Sequence, residues 1–300
     1  MENKTKFRSS RMTSLCDHNN LNFFPPTIAR LPPTPYNKKI KIHGHRGARG
    51  AYPENTLPAF RYAIENNVDF LELDLQMTKD NKIVICHDRN INTNICDGVS
   101  YPIKTLTLEE IKKYDCGSKQ NSDFNTQKTV PGTKIPLFIE LINMIQTKYK
   151  HKKIMMNIEI KTQETIDTDN EVYNFSNKLI KLVKKYKIIK NVIIESFDIR
   201  ALEYVNKIEP SIKTSYLIMI IPSLDDLINT SKRLNIRVIS PKYLGIDKNI
   251  IKILHENGFE ILPWVINDVN VFKQFIEYGV DGIITDYPKE MKDYLIENYY

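Results

Sequence analysis

The chain reads as an α/β protein, a (β/α)8 TIM barrel with a β-hairpin and a small insertion at its C-terminal face, and three observations predict this. From residue 154 onward, short apolar runs alternate with amphipathic helical segments, the pattern of a parallel sheet covered by helices. Nine candidate strands can be counted, and one follows its predecessor too closely to lie parallel to it; eight remain, the number such a barrel requires. No G-x-G-x-x-G follows the first strand, which leaves a doubly wound open sheet as second choice.

Residues 1–37 combine N-N-L-N, F-F-P-P and L-P-P-T-P with no sustained period of 2 or 3.6. Proline at that density breaks both helix and ladder, so this segment reads as a flexible N-terminal arm, with the barrel domain spanning 38–300. Ile40, Ile42 and Gly44 alternate with Lys41, His43 and His45, a short strand ending at H-R-G. In E-N-T-L-P-A-F-R-Y-A-I-E-N-N, Asn55 or Thr56 is the N-cap and Pro58 sits in the first turn. Leu57, Phe60, Ala63 and Ile64 share one stripe, so a helix returns to the sheet. Val68 to Leu75 is the second strand, and T-K-D-N-K leads directly into I-V-I-C-H-D. So short a link cannot carry a parallel crossover, and the two runs pair as an antiparallel hairpin. A turn centred on Asp80 sets Asp74 opposite Cys86 and brings His87 and Asp88 beside Glu72.

Residues 89–134 are polar and irregular apart from T-L-E-E-I-K-K-Y, where Thr107 and Glu110 have capping-box spacing; they read as an insertion over the barrel mouth. A helix over 136–149, with Leu137, Leu141, Ile142 and Ile145 apolar, precedes a strand over 154–161. The rhythm continues with helix 171–186, strand 192–196, helix 199–208, strand 214–219, helix 224–234 and strand 236–240. Helix 248–256 with Gly258 as its C′ residue, strand 260–266, helix 269–278, strand 282–285 and a C-terminal helix complete it.

Charge and cysteine content narrow the classes. The formal net charge is +7, but seven Lys/Arg and two Asp/Glu fall in the first forty residues, leaving 36 against 34 in the rest. The basicity belongs to the arm, which has no dense Lys/Arg block, so no nucleic-acid partner is expected. No apolar run follows the basic N-terminal residues, so no signal peptide is expected. The longest apolar run, Tyr216 to Ile221, is far below the ~18 residues of a spanning helix. A cytoplasmic protein without transmembrane segment follows. Cysteines 16, 86, 96 and 116 show no C-x-x-C spacing, and in that compartment no structural disulfide is expected. Oligomeric state is not legible here.

Chemistry concentrates at strand ends. His45 and Arg46 end the first strand, Glu72 and Asp74 sit late in the second, Glu159 and Lys161 end the 154–161 strand, and Trp264 lies late in another. In F-L-E-L-D-L, Glu72 and Asp74 project to one side with roughly 7 Å of rise between them. With Glu159 they make an oxygen site for one divalent cation, Ca²⁺ or Mg²⁺, whereas zinc would more often recruit His or Cys. Cleaving a phosphodiester needs charge neutralisation on the non-bridging oxygens, a base for the nucleophile and an acid for the leaving alkoxide. The cation with Arg46 and Lys161 supplies the first, and His45 with His87 the others.

H-R-G with P-E-N-T close behind, then E-L-D-L-Q-M-T-K-D-N-K-I-V-I-C-H-D, then I-E-I-K, resembles the glycerophosphodiester phosphodiesterase family. The similarity continues through L-T-L-E-E-I, S-F-D, P-W-V-I-N and V-D-G-I-I-T-D-Y-P, about Lys41 to Pro288 in the family's order. The resemblance implies a (β/α)8 barrel that hydrolyses small glycerophosphodiesters to glycerol 3-phosphate and an alcohol with a divalent cation. By it, His45 and His87 match the catalytic histidine pair, Glu72, Asp74 and Glu159 the metal ligands, Arg46 and Lys161 the phosphate contacts, and Glu54 and Trp264 residues lining the site. I-P-L-F-I-E and W-V-I-N depart slightly from the family's pattern, away from these positions.

Plainer readings stand beside these. His43 is expected to be buried and hydrogen-bonded. Glu159 and Lys161 are also spaced as a surface ion pair, Glu54 also favours a helix start, and Trp264 is core as readily as a ligand platform. Ser196 lacks an elbow glycine and reads as a strand-end serine. Cys86 should point away from His87. The alternative activities are a lysophospholipase D or sphingomyelinase-D-like phosphodiesterase on the same barrel, and the different-class alternative is a non-catalytic binding module.

Overall fold

The β-branched and leucine-rich runs do form strands. In a computed structural model, which describes residues 39–221 and 223–299, these strands are β1 Lys41–Gly44, β2 Phe70–Met77, β3 Ile83–Ile85, β4 Met155–Ile160, β5 Val192–Ser196, β6 Lys213–Ile218, β7 Val238–Pro241, β8 Glu260–Ile261 and β9 Gly282–Thr285. The helices are α1 Leu57–Glu65, α2 Leu108–Ile111, α3 Phe138–Lys148, α4 Asp169–Lys185, α5 Ile199–Ile208, α6 Leu224–Arg233, α7 Lys248–Glu256, α8 Val269–Tyr278 and α9 Pro288–Tyr299. The expected arm, the domain start at Lys38 and Cys16 lie outside the described residues.

The strand order is β8-β7-β6-β5-β4-β2-β1-β9, all parallel, with β3 attached to β2 alone and antiparallel to it. The eight parallel strands form a nearly closed barrel. Across the seam Ile284 N–H donates to Pro263 O and Ile266 N–H to Ile284 O, both at 3.0 Å. The strand expected over 260–266 is regular only at its start, because Pro263 has no N–H to give the ladder. The hairpin has the expected register. Leu75 lies opposite Ile85, and Cys86 N–H donates to Asp74 O at 2.9 Å.

Alternation decides what each face of β2 meets. Leu71, Leu73 and Leu75 join the apolar layer beneath the helices with Phe60 and Ile64 of α1, while Glu72 and Asp74 fall on the other face, toward the barrel interior. Thr56 caps α1, its Oγ1 accepting from Ala59 N–H, and Thr107 with Glu110 forms the capping box of α2. No helix among the described residues is long and apolar enough to cross a membrane.

The segment between β3 and α3 builds a small core from Ile91, Cys96, Ile103, Ile111, Cys116 and Ile135, packed with Val84 of β3. Here the expectation of no disulfide is corrected: Cys96 and Cys116 are bonded. Loop geometry pairs them, since Asp97 N–H donates to Asp115 O at 2.7 Å and so draws the neighbouring cysteines together. Sequence spacing carries no trace of such a contact.

Candidate active site

The loop after β1 holds the first pair of functional side chains. A Cβ at Gly44 would lie 2.1 Å from Gly47 O, and Gly47 itself has φ +89°, so H-G-H-R-G turns back on itself only with glycine at both places. The turn aims Arg46 N–H at Glu72 Oε2, 2.7 Å away, and brings His45 Nε2 to 4.0 Å from the same oxygen. His45 Nδ1 lies 2.6 Å from Asp286 Oδ1, and Asp286 is itself held by Asn267 Nδ2 at 2.7 Å. With Nδ1 donating to Asp286, the Nε2 lone pair faces the carboxylates.

Glu72, Asp74 and Glu159 converge because β2 and β4 are neighbours in register: Asp74 stands directly beside Glu159, and Glu72 beside Asn157. One oxygen of each of the three lies within 4.8 Å of the others, and all three residues are buried. Asp74 accepts from Asn55 Nδ2 at 2.7 Å and lies 3.4 Å from Arg46 Nε and 3.6 Å from Lys161 Nζ. Lys161 Nζ sits 2.9 Å from Glu159 Oε1. Arg46 Nη1 donates to Glu54 Oε1 at 2.6 Å, and Arg49 Nε lies 2.8 Å from Glu54 Oε2.

Electrostatically the three carboxylates are unequal. Burial, then the charges of Asp74 and Glu195, pushes Glu72 well above the usual range. Burial also pushes Glu159 up to about 7 against the pull of Lys161. At Asp74 burial is outweighed by Lys161, His87 and Arg46, and its carboxyl is held low. Burial lowers the His45 imidazole, opposed by Asp286. A dry cluster of this sign and donor type fits a hard divalent cation, which replaces lost hydration with carboxylate oxygens.

The cavity over this cluster measures about 290 Å³ and is lined by His45, Arg46, Glu72, Asp74, His87 and Glu159 on one side. Phe197, Met219 and Trp264 are among the residues opposite. Trp264 Nε1 donates to Ser240 O at 2.8 Å, and the Phe197 ring meets it edge-on at 5.6 Å. Lys161 stands in the wall of a larger polar groove of about 460 Å³ beside the hairpin. Glu54 does not line the cavity, reaching it only through the two arginines. His87 Nδ1 lies 2.7 Å from Asp88 Oδ1 at the solvent end.

The sequence reading missed Asp286, Asn55 and Glu195. Asp286 directly follows β9 in T-D-Y-P, and Asn55 lies within P-E-N-T, so both were in plain view as polar residues at strand and helix ends. Glu195 was signalled by a carboxylate inside the apolar run V-I-I-E-S; it is 1% exposed, and its Oε2 has no hydrogen-bond partner among the described residues. His43 is buried as expected, with its ring flat on Phe70 at 4.1 Å, and its Nδ1 has no hydrogen-bond partner among the described residues. Ser196 is structural, donating to Ile160 O at 2.8 Å.

An eight-stranded parallel barrel whose strand ends gather three carboxylates, two histidines and two paired cations defines a phosphoric diester hydrolase of the barrel type. Residues 45–290 match the model of the Glycerophosphoryl diester phosphodiesterase family, and the chain belongs to that family. It is 33% identical over 253 residues to a glycerophosphodiester phosphodiesterase of Caldanaerobacter subterraneus subsp. tengcongensis, covering 84% of this chain and 96% of that one. It is 26% identical over 283 residues to mouse Lysophospholipase D GDPD1, 84% of each chain. A Silicibacter pomeroyi crystal structure, 25% identical, superposes with TM-score 0.81 over 88% of this chain and 95% of that one.

Proposed function

We propose that the protein hydrolyses glycerophosphodiesters, such as glycerophosphocholine or glycerophosphoethanolamine, to glycerol 3-phosphate and an alcohol, with His45 and His87 dividing the proton transfers. The observation that carries this is the position of His45 Nε2, 4.0 Å from Glu72 Oε2, with Nδ1 fixed by Asp286. A ring so held keeps its acceptor nitrogen turned toward the place where phosphate would meet the carboxylates.

Glu72, Asp74 and Glu159 would hold one divalent cation, Ca²⁺ or Mg²⁺. When bound, it supplies charge neutralisation on a non-bridging phosphate oxygen. Arg46 and Lys161 stand beside Asp74 and complement that charge from the protein side. His45 takes the proton from the attacking hydroxyl at Nε2, and Asp286 stabilises the imidazolium that results. His87, paired with Asp88 on the solvent side, returns a proton to the leaving alcohol. Glu54 keeps Arg46 and Arg49 in place.

The test is release of glycerol 3-phosphate from glycerophosphocholine by wild type, His45→Ala and His87→Ala. Loss of at least a hundredfold in kcat for each variant agrees with the assignment. Full rate in either one sinks the two-histidine scheme.

A further inference from the structure

We infer that Asn92 is a positioning residue for the proton transfer assigned to His87, acting through Asp88, and that the Cys96–Cys116 bond holds Asn92 in place. This rests on the reading above in which His87 returns a proton to the leaving alcohol.

The two histidines of the site are tied down in the same way. His45 Nδ1 lies 2.6 Å from Asp286 Oδ1, and the other oxygen of Asp286 accepts from Asn267 Nδ2 at 2.7 Å. His87 Nδ1 lies 2.7 Å from Asp88 Oδ1, and the other oxygen of Asp88 accepts from Asn92 Nδ2 at 2.7 Å. Each ring is linked through a carboxylate to an asparagine amide.

What differs is the surroundings. The Asp286 side chain is 5% exposed, that of Asp88 39%. A carboxylate open to water trades partners readily, so one contact with His87 does not by itself fix the ring. Asn92 restrains the second oxygen, and with it the plane of the carboxylate. The main chain of His87 is held separately from β2, where Gln76 Nε2 donates to His87 O at 3.0 Å.

Asn92 is itself anchored. Its carbonyl accepts from Ile95 N–H at 3.2 Å and from Cys96 N–H at 2.8 Å, and its Oδ1 accepts from Asn94 N–H at 3.0 Å. Asn92 therefore opens a tight turn that ends on Cys96, which is bonded to Cys116. His87, Asp88, Asn92, Cys96 and Cys116 all line one cavity of about 20 Å³, with room for about one water, so the turn and the histidine are packed closely together.

A general acid works only while its donor nitrogen stays within reach of the leaving oxygen. With Nδ1 engaged by Asp88, Nε2 carries the proton to be given. As the P–O bond to the alcohol breaks, that proton passes to the alcohol oxygen. His87 then takes up another from water, and His45 returns to water the one it took from the attacking hydroxyl.

The test compares two esters of glycerol 3-phosphate in Ca²⁺: glycerophosphocholine, whose alcohol needs a proton to leave, and the 4-nitrophenyl ester, whose phenolate leaves without one. Asn92→Ala should lower kcat on glycerophosphocholine by about tenfold or more with KM little changed, and kcat on the nitrophenyl ester by less than about threefold. Asn92→Asp keeps the shape but not the donor and should behave like the alanine variant. Cys96→Ala/Cys116→Ala should show the same selective loss. In Asn92→Ala, equal losses on the two esters, or no loss on either, would overturn the proposal. In the cysteine variant, kcat unchanged or lowered equally on both would overturn the part given to the disulfide. His87→Ala is measured alongside: equal loss on both esters there counts against His87 as the acid, and a wild type inert on both counts against the phosphodiesterase reading, so each failure is told apart from failure of the Asn92 contact.

Discussion

His45 Nδ1 lies 2.6 Å from Asp286 Oδ1, joining the end of β1 to the residue that follows β9, 241 positions later in the chain. The contact exists because β1 and β9 are neighbours in the barrel, with Gly44 paired to Thr285. Closing the barrel therefore also sets the tautomer of the histidine. Asp286→Asn should reduce kcat by about 10- to 100-fold with little change in KM, because it removes orientation rather than substrate contact. Steady-state kinetics on glycerophosphocholine checks this, and a pure KM effect would count against it.

Burial of the Glu72 carboxyl carries a cost in stability. The carboxylate is buried beside Asp74 and near Glu195, and burial foremost raises its pKa. In chelator, Glu72→Gln should be more stable than wild type by about 1–2 kcal/mol, since it removes the cost of either burying that charge or taking up a proton to neutralise it, and keeps the acceptor for Arg46 N–H. Denaturant melts with and without Ca²⁺ should also show the cation's stabilisation lost in the variant.

The pH dependence of stability should carry a His43 signature. Burial, then the Lys41 charge, pushes this imidazole down to about 3 from 6.5. As pH falls below 6.5 the unfolded chain takes up the proton while the folded one stays neutral, so this contribution is complete above 6.5 and declines toward about 3. The total is on the order of 5 kcal/mol. Melts of wild type and His43→Leu across that range should diverge in slope, the variant losing less with acid; parallel slopes would refute the assignment.

The Cys96–Cys116 bond closes a sequence separation of 20 within the insertion. Replacing both cysteines by alanine should cost about 3 kcal/mol if the insertion unfolds with the barrel. If the insertion instead opens by itself, hydrogen exchange will rise across residues 91–134 while the barrel melt stays put.

Much of this was readable from local pattern. The F-L-E-L-D-L alternation placed both carboxylates on one face of β2, and the short T-K-D-N-K link fixed the hairpin register that pairs Asp74 with Cys86. What escaped are contacts made by closure of the barrel or by loops: Asp286 on His45, Asn55 on Asp74, and Cys96 with Cys116. None of these has a periodicity or a fixed spacing, because each depends on which strand or loop becomes a neighbour. The stack of His43 on Phe70 escaped for the same reason, since it forms between register partners on β1 and β2.

The central claim is that the carboxylate trio and His45 act as one site, and cation-dependent release of glycerol 3-phosphate tests it most directly. With Ca²⁺ or Mg²⁺ the wild type should turn over glycerophosphocholine, EDTA should abolish the activity, readded cation should restore it, and His45→Ala should stay inactive throughout. Full activity in EDTA, or full activity of His45→Ala with the cation present, would contradict it.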